Sequence, residues 1–491
     1  MINRKKIIIL ILITILIIFN ASFAFAAPGG NNTSITHSGA TTIDSDTNQN
    51  NQTYSSTSDS QSALLVTGGN STLSDVTITK SGDSDGDNSD FYGTNAAVLV
   101  KEGTLNINDG NITTNGSHAN AIFAYDKGVI NISNSTINTS SNNSGGIMVT
   151  GGGTLTASDV TATTQGNSSA PIRSDRGGGT IVVNGGTYTS NGVGSPAIYS
   201  TADITVNNAK LVSNVSSGVI IEGKNSITLN NVDLYDSNTR SNTKGEEANY
   251  KNIFIYQSAS GDASEGTGTF VAKDSTITTA NGSTIFVTNT NADITLENNI
   301  ITNTDSNGLF LKAAAARWGK EGSNGGIVTL KMINQTASGD IVLDNISTLD
   351  LYMTNKSIYV GAINNNKEAK KVNVTISKDS IISLTADTYI DSLDNELSDN
   401  SNIYSNGKYK LYVDGKEVSI NNSSYQLEKS DTSEITQIDN TEINIDKKTN
   451  IEKNNNIENN VVVYFSIGII ALIVITICIV ILYKKKQNKS I

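Results

Sequence analysis

From Leu105 onward the chain repeats one apolar grid, and that grid limits what it can fold into. Units starting at Leu105, Ile130, Leu155, Ile181, Ile204, Ile227, Phe270 and Ile294 place one apolar residue first and a second two positions later. A third column follows seven residues after each start, as at Ile112, Ile137 and Leu211, and most units carry a fourth 15 to 17 residues on, from Ile122 through Ile285 to Leu309. Successive starts lie 25, 25, 26, 23, 23, 43 and 24 residues apart. Short period-2 segments in a unit of this length cannot bury their own apolar side chains, so stacking of unit on unit must do it.

The segments are β-branched and Thr-rich, as in Ile130-Asn131-Ile132 and Ile204-Thr205-Val206, and leave no room for a helix of useful length. Each unit therefore reads as one coil of a parallel β-solenoid, with its apolar residues inside and backbone hydrogen bonds running between coils roughly 4.8 Å apart. Four residues after each start stands Asp109, Asn134, Asp159, Gly185, Asn208, Asn231, Asp274 or Asn298. These residue types accept left-handed geometry, so the column marks the corner where the chain leaves its first strand. The clear coils run from 104 to 311; beyond Gly326 the alternation continues while the turn column fades, and Lys410 to Lys416 reads as a hairpin-like cap.

Hydrophobic residues make up 37% of the chain and charged residues only 16%, so the surface is mainly Ser, Thr, Asn and Gly. Residues 1–26 read as a signal peptide: basic Arg4-Lys5-Lys6, an apolar run from Ile7 to Phe19, then Ala24-Phe25-Ala26 as a cleavage site. Val461 to Tyr483 is an unbroken apolar stretch long enough to cross a bilayer, and the basic tail 484–491 places the C-terminus in the cytoplasm. Setting aside the seven basic residues of leader and tail takes the formal charge from −12 to −19. Such a body repels nucleic acid and attracts divalent cations. The only cysteine, Cys478, lies in the apolar span, so the ectodomain has no disulfide. Residues 27–60 read as a polar leader, 61–426 as the solenoid ectodomain, and 427–460, rich in Asn, Glu, Lys and Asp, as a disordered stalk.

The residue between two inward positions of the later strand faces out. These residues form a column, Phe123, Met148, Arg173, Tyr199, Ile220, Phe254, Phe286 and Phe310. An exposed aromatic stripe spaced by one coil would be a contact surface, because pyranose faces stack on rings while Asn, Ser and Thr bond the hydroxyls. The competing reading is that the insertion from Tyr235 to Asn252, or the leader, folds over the stripe and buries it. Trp318, between Arg317 and Lys320 on an interrupting loop, either stacks a sugar or pins its own loop to the coils. The candidate ligand-binding set is therefore Phe123, Tyr199, Phe254, Phe286, Phe310 and Trp318.

Asp83, Asp85 and Asp87 alternate along an acidic segment in the way calcium loops do, but Asn88 and Thr94 occupy the positions where an EF-hand needs Gly and Glu. The segment is read either as a solvated acidic loop or as a calcium site. His37 and His118 fit no metal or triad pattern, and the outward strand faces carry Asn, Thr and Val where a lyase or hydrolase needs clustered acids with Arg or Lys. Arg173 with Asp175 and Arg176 is the exception and reads as a surface charge cluster.

Units such as Thr104-Leu105-Asn106-Ile107-Asn108-Asp109-Gly110-Asn111-Ile112, and Gly185-Gly186-Thr187-Tyr188-Thr189 followed by Ala197-Ile198-Tyr199, resemble the repeats of bacterial right-handed parallel β-helix surface proteins. That group includes pectate-lyase-like proteins, adhesin passenger domains and carbohydrate-binding β-helix proteins. The resemblance spans roughly residues 60 to 420 and rests on coil motifs, so it implies the fold more than an active site. The calcium-binding acids and catalytic basic residue of the lyases have no residue-by-residue match here, and a sortase motif is not seen ahead of the apolar span.

The expectation is an all-β, right-handed parallel β-helix with a signal peptide, a flexible stalk and one C-terminal transmembrane helix, exposed outside the cell. It acts as an adhesin or non-catalytic binder of extracellular polysaccharide, or of a host or neighbouring cell surface, with calcium as the one cofactor entertained. A polysaccharide lyase or hydrolase on the same scaffold, or a structural envelope component, is the alternative.

Overall fold

A computed structural model describes residues 35–84, 86–241 and 249–425. The expected signal peptide, stalk, transmembrane helix and basic tail lie outside the described residues, and no helix within them is long and apolar enough to cross a membrane. Within them the chain winds into a parallel β-solenoid of about 15 turns with almost no helix.

One coil shows the pattern. Ile147–Thr150 and Gly153–Ser158 belong to a 24-stranded sheet, and Thr161–Thr164 turns into a separate 10-stranded sheet. A four-stranded sheet from Thr336–Ser338 to Ile403–Tyr404 continues the stack toward the C-terminus. The expected columns are the rungs of these sheets: Leu105 pairs with Ile130, Ile130 with Leu155, Leu155 with Ile181, and so on to Ile294. These residues are buried in one core that runs from Ile43 to Leu411. Each buried Ile or Leu contributes about 1.5–3 kcal/mol.

All eight corner residues have left-handed backbones, with φ between 48° and 78°. Each donates its N–H to the coil above, as Asp109 does to Ser133 O at 3.1 Å and Asn134 to Ser158 O at 3.0 Å. Left-handed geometry costs Asn and Asp little, so seven of the eight corners manage without glycine and only Gly185 uses it. The column fades two coils later than the sequence suggests, lapsing at Lys378. It extends to Asn51 and Asp75 before the clear coils and to Asn334 and Asn355 after them. The cap is an antiparallel hairpin, Leu411–Val413 with Lys416–Val418, as expected.

Two boundaries differ from the sequence reading. The solenoid starts at Gly39, not near 61. Gly39–Ile43, Asn48–Asn50 and Thr53–Ser56 pair in parallel with Ser62–Val66, Asn70–Ser74 and Thr77–Lys80, so much of the supposed leader is a coil. Its composition hides this, because a terminal coil has a neighbour on one side only and buries little beyond Ile43, Tyr54 and Ser56. Near 310 the register is displaced by two residues. Leu311, not Leu309, pairs with Ile285, and Lys312 pairs with Phe286. The turn closed by Gly308 N–H to Asp305 O at 2.9 Å uses two more residues than the column count allows. Phe310 is consequently a core residue, fully buried, with its ring 6.1 Å from that of Tyr359.

Candidate functional site

The outward row of the long sheet runs in continuous register through Leu65, Leu99, Phe123, Met148, Arg173, Tyr199, Ile220, Phe254, Phe286 and Lys312. Most of it is covered, by two separate elements. Over the first part lie the short helix Asp87–Tyr92 and the turn that follows it, so that Leu65, Ala96, Leu99, Phe123 and Met148 form a small apolar cluster. Gly93, at φ 72°, sits so close that a Cβ there would stand 2.9 Å from the Phe123 ring and 2.8 Å from Leu99. Only glycine fits that contact. The helix is tied down by Thr150 Oγ1, which donates to Phe91 O at 2.7 Å, and by the Arg176 guanidinium 3.9 Å above the Phe91 ring. His37 Nε2 donates to Tyr92 O at 2.9 Å, so the former leader braces the same cover.

The second cover is the loop Ala314 to Trp318, packed on Phe254, Tyr256 and Phe286. Asn324 Nδ2 holds that loop by donating to Ala316 O at 3.1 Å and Trp318 O at 2.9 Å. Phe254 stacks on Tyr256 at 4.6 Å and on Phe286 at 5.6 Å, and Lys251 Nζ lies 4.4 Å over the Phe254 ring.

Between the two covers the row is open at Arg173, Tyr199 and Ile220, and there the surface sinks into a cleft of about 360 Å³. Its floor is Arg173, Asp175, Tyr199 and Ile220; Phe254, Tyr256 and Trp318 wall one side, and Ser216, Ser217 and Asn238 line another. That volume is at the small end of small-molecule pockets, roughly 300–1,000 Å³. A hollow of about 530 Å³ on the far side of the Trp318 loop is lined by residues such as Gly319, Asp344 and Asn345 and has no aromatic wall.

Glu222 organises the cleft from beneath. It is 1% exposed and accepts hydrogen bonds from Tyr199 Oη at 2.5 Å, from Tyr256 Oη at 2.8 Å and from Ser258 Oγ. Burial, followed by the charges nearby, holds both phenols well above their usual range, so they stay neutral and donate. Arg173 NH2 donates to Asp175 Oδ2 at 2.9 Å, and Asp90 of the covering helix stands 3.9 Å from the same guanidinium and 3.0 Å from His118 Nδ1. Burial disfavours the Arg173 charge, but Asp175 and Asp90 outweigh it and raise the guanidinium further. Burial also pushes the Asp175 carboxyl up to about 6 against the pull of Arg173. Arg176 donates from Nε and NH2 to Asp262 Oδ1 at 3.0 and 2.8 Å. Each carboxylate at the cleft is thus held by several donors, and the site offers ring faces, hydroxyls and guanidinium groups to a ligand.

Of the six candidate residues, Tyr199, Phe254 and Trp318 line this cleft. Phe123 and Phe286 lie on the row but are buried beneath the covers, and Phe310 is in the core. Trp318 pins its loop, with its ring 6.1 Å from that of Tyr256, and also lines the cleft. The Arg173–Asp175 pair is not a surface cluster: the two side chains are 11% and 8% exposed. Asp83 is engaged through Oδ1 by Ser117 N–H at 2.8 Å, Asp87 opens the short helix, and Asp85 lies outside the described residues. Among the described residues no group of three or more His, Cys, Asp or Glu is placed to hold a metal ion. Glu222 and Tyr256 were missed by the sequence reading, although each stands two residues after a row position, on the same outward face. Compared with known protein families, with curated proteins and with solved structures, the chain matches none.

Proposed function

We propose that this is a cell-surface β-helix protein that binds saccharide without catalysis, in adhesion or polysaccharide recognition, through the cleft at Tyr199. The observation that carries the reading is the gap in the covered row, where Tyr199, Tyr256 and Trp318 meet Ser216, Ser217 and Asn238. Aromatic faces beside hydroxyl and amide groups are the chemistry a pyranose ring requires. Because both ends of the gap are closed by covers, the ligand is a short saccharide or the end of a chain, not a polymer lying along the axis.

Export by residues 1–26, anchoring by Val461 to Tyr483 and a cytoplasmic basic tail belong to the same proposal, as do a right-handed coil and kinship with adhesin-like and carbohydrate-binding β-helix proteins. The sequence patterns and the coil repeats support them. Glycan-array binding of the purified full-length chain, with and without EDTA, tests the function. Binding of short glycans that Trp318→Ala weakens is the expected result, and loss with EDTA would bring in calcium. Cleavage of a bound glycan would replace the reading with a lyase or hydrolase; no binding would leave a structural envelope role.

A further inference from the structure

The last inward position of the 10-stranded sheet forms one column in register from Ser56 to Asn303. Most of its side chains act as donors to backbone oxygens. Lys80 Nζ donates to Gly82 O at 2.6 Å, Thr139 Oγ1 to Ser144 O at 2.6 Å, Ser190 Oγ to Ser195 O at 2.6 Å and Ser213 Oγ to Ser216 O at 2.9 Å, each closing the loop that leaves its own strand. Asp236 stands in this column between Ser213 and Thr279. An ionised carboxylate has no hydrogen to donate there.

Asp236 is 0% exposed, and neither carboxyl oxygen has a hydrogen-bond partner among the described residues. Thr114 and Thr164 of the same column also lack one, yet their hydroxyls keep a hydrogen and carry no charge. The groups beside Asp236 are Ser213 and Thr279 in the adjacent coils and Asn252, whose Nδ2 donates to Thr279 Oγ1 at 3.2 Å; none of these titrates. Charged side chains on the neighbouring segments are directed elsewhere: Lys210 and Asp233 meet at 3.7 Å on the outer face, Lys251 Nζ lies over the Phe254 ring, and Arg240 lines the cleft. Burial holds the Asp236 carboxyl well above its ordinary 3.8, with the Ala280 N–H pulling the other way. The same coil carries the insertion that borders the cleft. Asn238, two residues on, pins that loop by donating to Ser217 Oγ at 3.2 Å and to Lys251 O at 2.8 Å, and Asn238 and Tyr250 both line the cleft.

We infer that Asp236 is a proton-dependent latch for this coil: neutral, it lets Asp233–Asp236 seat in the core and hold the Asn238 wall of the cleft, and once ionised it drives that strand and the wall to open. An unpaired charge in the core is strongly disfavoured. The open coil releases the proton near the ordinary value and the closed coil keeps it, so closure is at full strength below about pH 4 and weakens as pH rises. This holds whatever the cleft binds.

Hydrogen exchange of the purified full-length chain, read by mass spectrometry from about pH 5 to about pH 8 and corrected for intrinsic exchange, is the test. Protection over residues 233–239 is expected to fall by up to about tenfold per pH unit, while residues 161–164, three coils away and able to open without exposing Asp236, stay level. Asp236→Thr, which gives the column the hydroxyl it has at Thr279, removes the fall and raises protection at the upper end of the range. Asp236→Asn, which keeps the shape and carries donor hydrogens at every pH, does the same and stands in if the threonine variant does not fold. A wild-type profile as flat at 233–239 as at 161–164 overturns the latch, and so does a fall that persists in the variants. An equal fall in both coils overturns it as well, because ionisation would then act on the whole solenoid and not on one coil.

Discussion

Along one outward row, with unchanged backbone register, Phe123 and Met148 at one end and Phe286 at the other are sealed under added segments, whereas Arg173, Tyr199 and Ile220 between them face a cleft that Phe254 also lines. The scaffold treats all these positions alike. What differs is the side chain and what lies over it. Where the row is apolar, a helix or loop excludes water from it and the residues act as a second, outer core. Where the row turns polar at Arg173 and Tyr199, the covers stop, and the polar groups are satisfied by Asp175 and Glu222 beneath them. The lesson is that a solenoid face keeps a cleft by omission: surface is left open where covering would strand polar groups.

This contrast predicts unequal sensitivity to truncation. Phe123→Ala should cost about 3–5 kcal/mol, whereas Ile220→Ala, partly buried on the open stretch, should cost about 1–2 kcal/mol. Denaturant unfolding of the two variants measures this, and equal losses would mean that the row is not divided. Next in size is Tyr199→Phe, which takes one donor from buried Glu222 and should cost about 1.5–3 kcal/mol in the same assay. A neutral outcome would show that Glu222 is not organising the open stretch. Trp318→Ala should lower affinity for the best glycan by about tenfold, read by titration, because it removes a wall of the cleft. Phe286→Ser, by contrast, acts on the covered part and should show itself in stability first.

A further effect concerns pH. The Asp175 carboxyl titrates near 6 in the folded chain, above its ordinary value of 3.8, so the unfolded chain releases that proton first as pH rises. Its contribution to stability is therefore full at low pH and declines between about 4 and about 6, then stays constant. Asp175→Asn should flatten that slope in denaturant midpoints measured across the window. The groups facing the carboxyl are Arg173, Asp262 and the Arg176 backbone, with Asp90 beyond Arg173. A midpoint slope unchanged in Asp175→Asn would show that this carboxyl is not the group titrating there.

Much of the fold was legible because its rules are local and repeated. Inward positions alternate, and each corner needs a residue that tolerates positive φ, so Asp109 through Asn298 could be named from sequence. The first coil was not legible, since only Ile43 and Tyr54 supply its apolar burial. Nor was the two-residue displacement at Phe310, where a turn of unrepeated length sets the register. The site was half legible. Alternation gave Tyr199 and Phe254 and, carried two residues further, reaches Tyr256 and Glu222. The covers had no periodic signal: Gly93 lies over Phe123 from a helix that interrupts the repeat, and nothing in its spacing announces that contact.

Glu222 also restricts what the cleft can ask of a ligand. A phenol has a single hydrogen to give, and Tyr199 and Tyr256 both give theirs to this one carboxylate. Toward the cleft their oxygens can only accept. The partner must then arrive with its own hydroxyl hydrogens free, so that methylating a sugar's hydroxyls, a change of a few atoms that leaves its ring faces intact, would silence the two tyrosines as polar contacts.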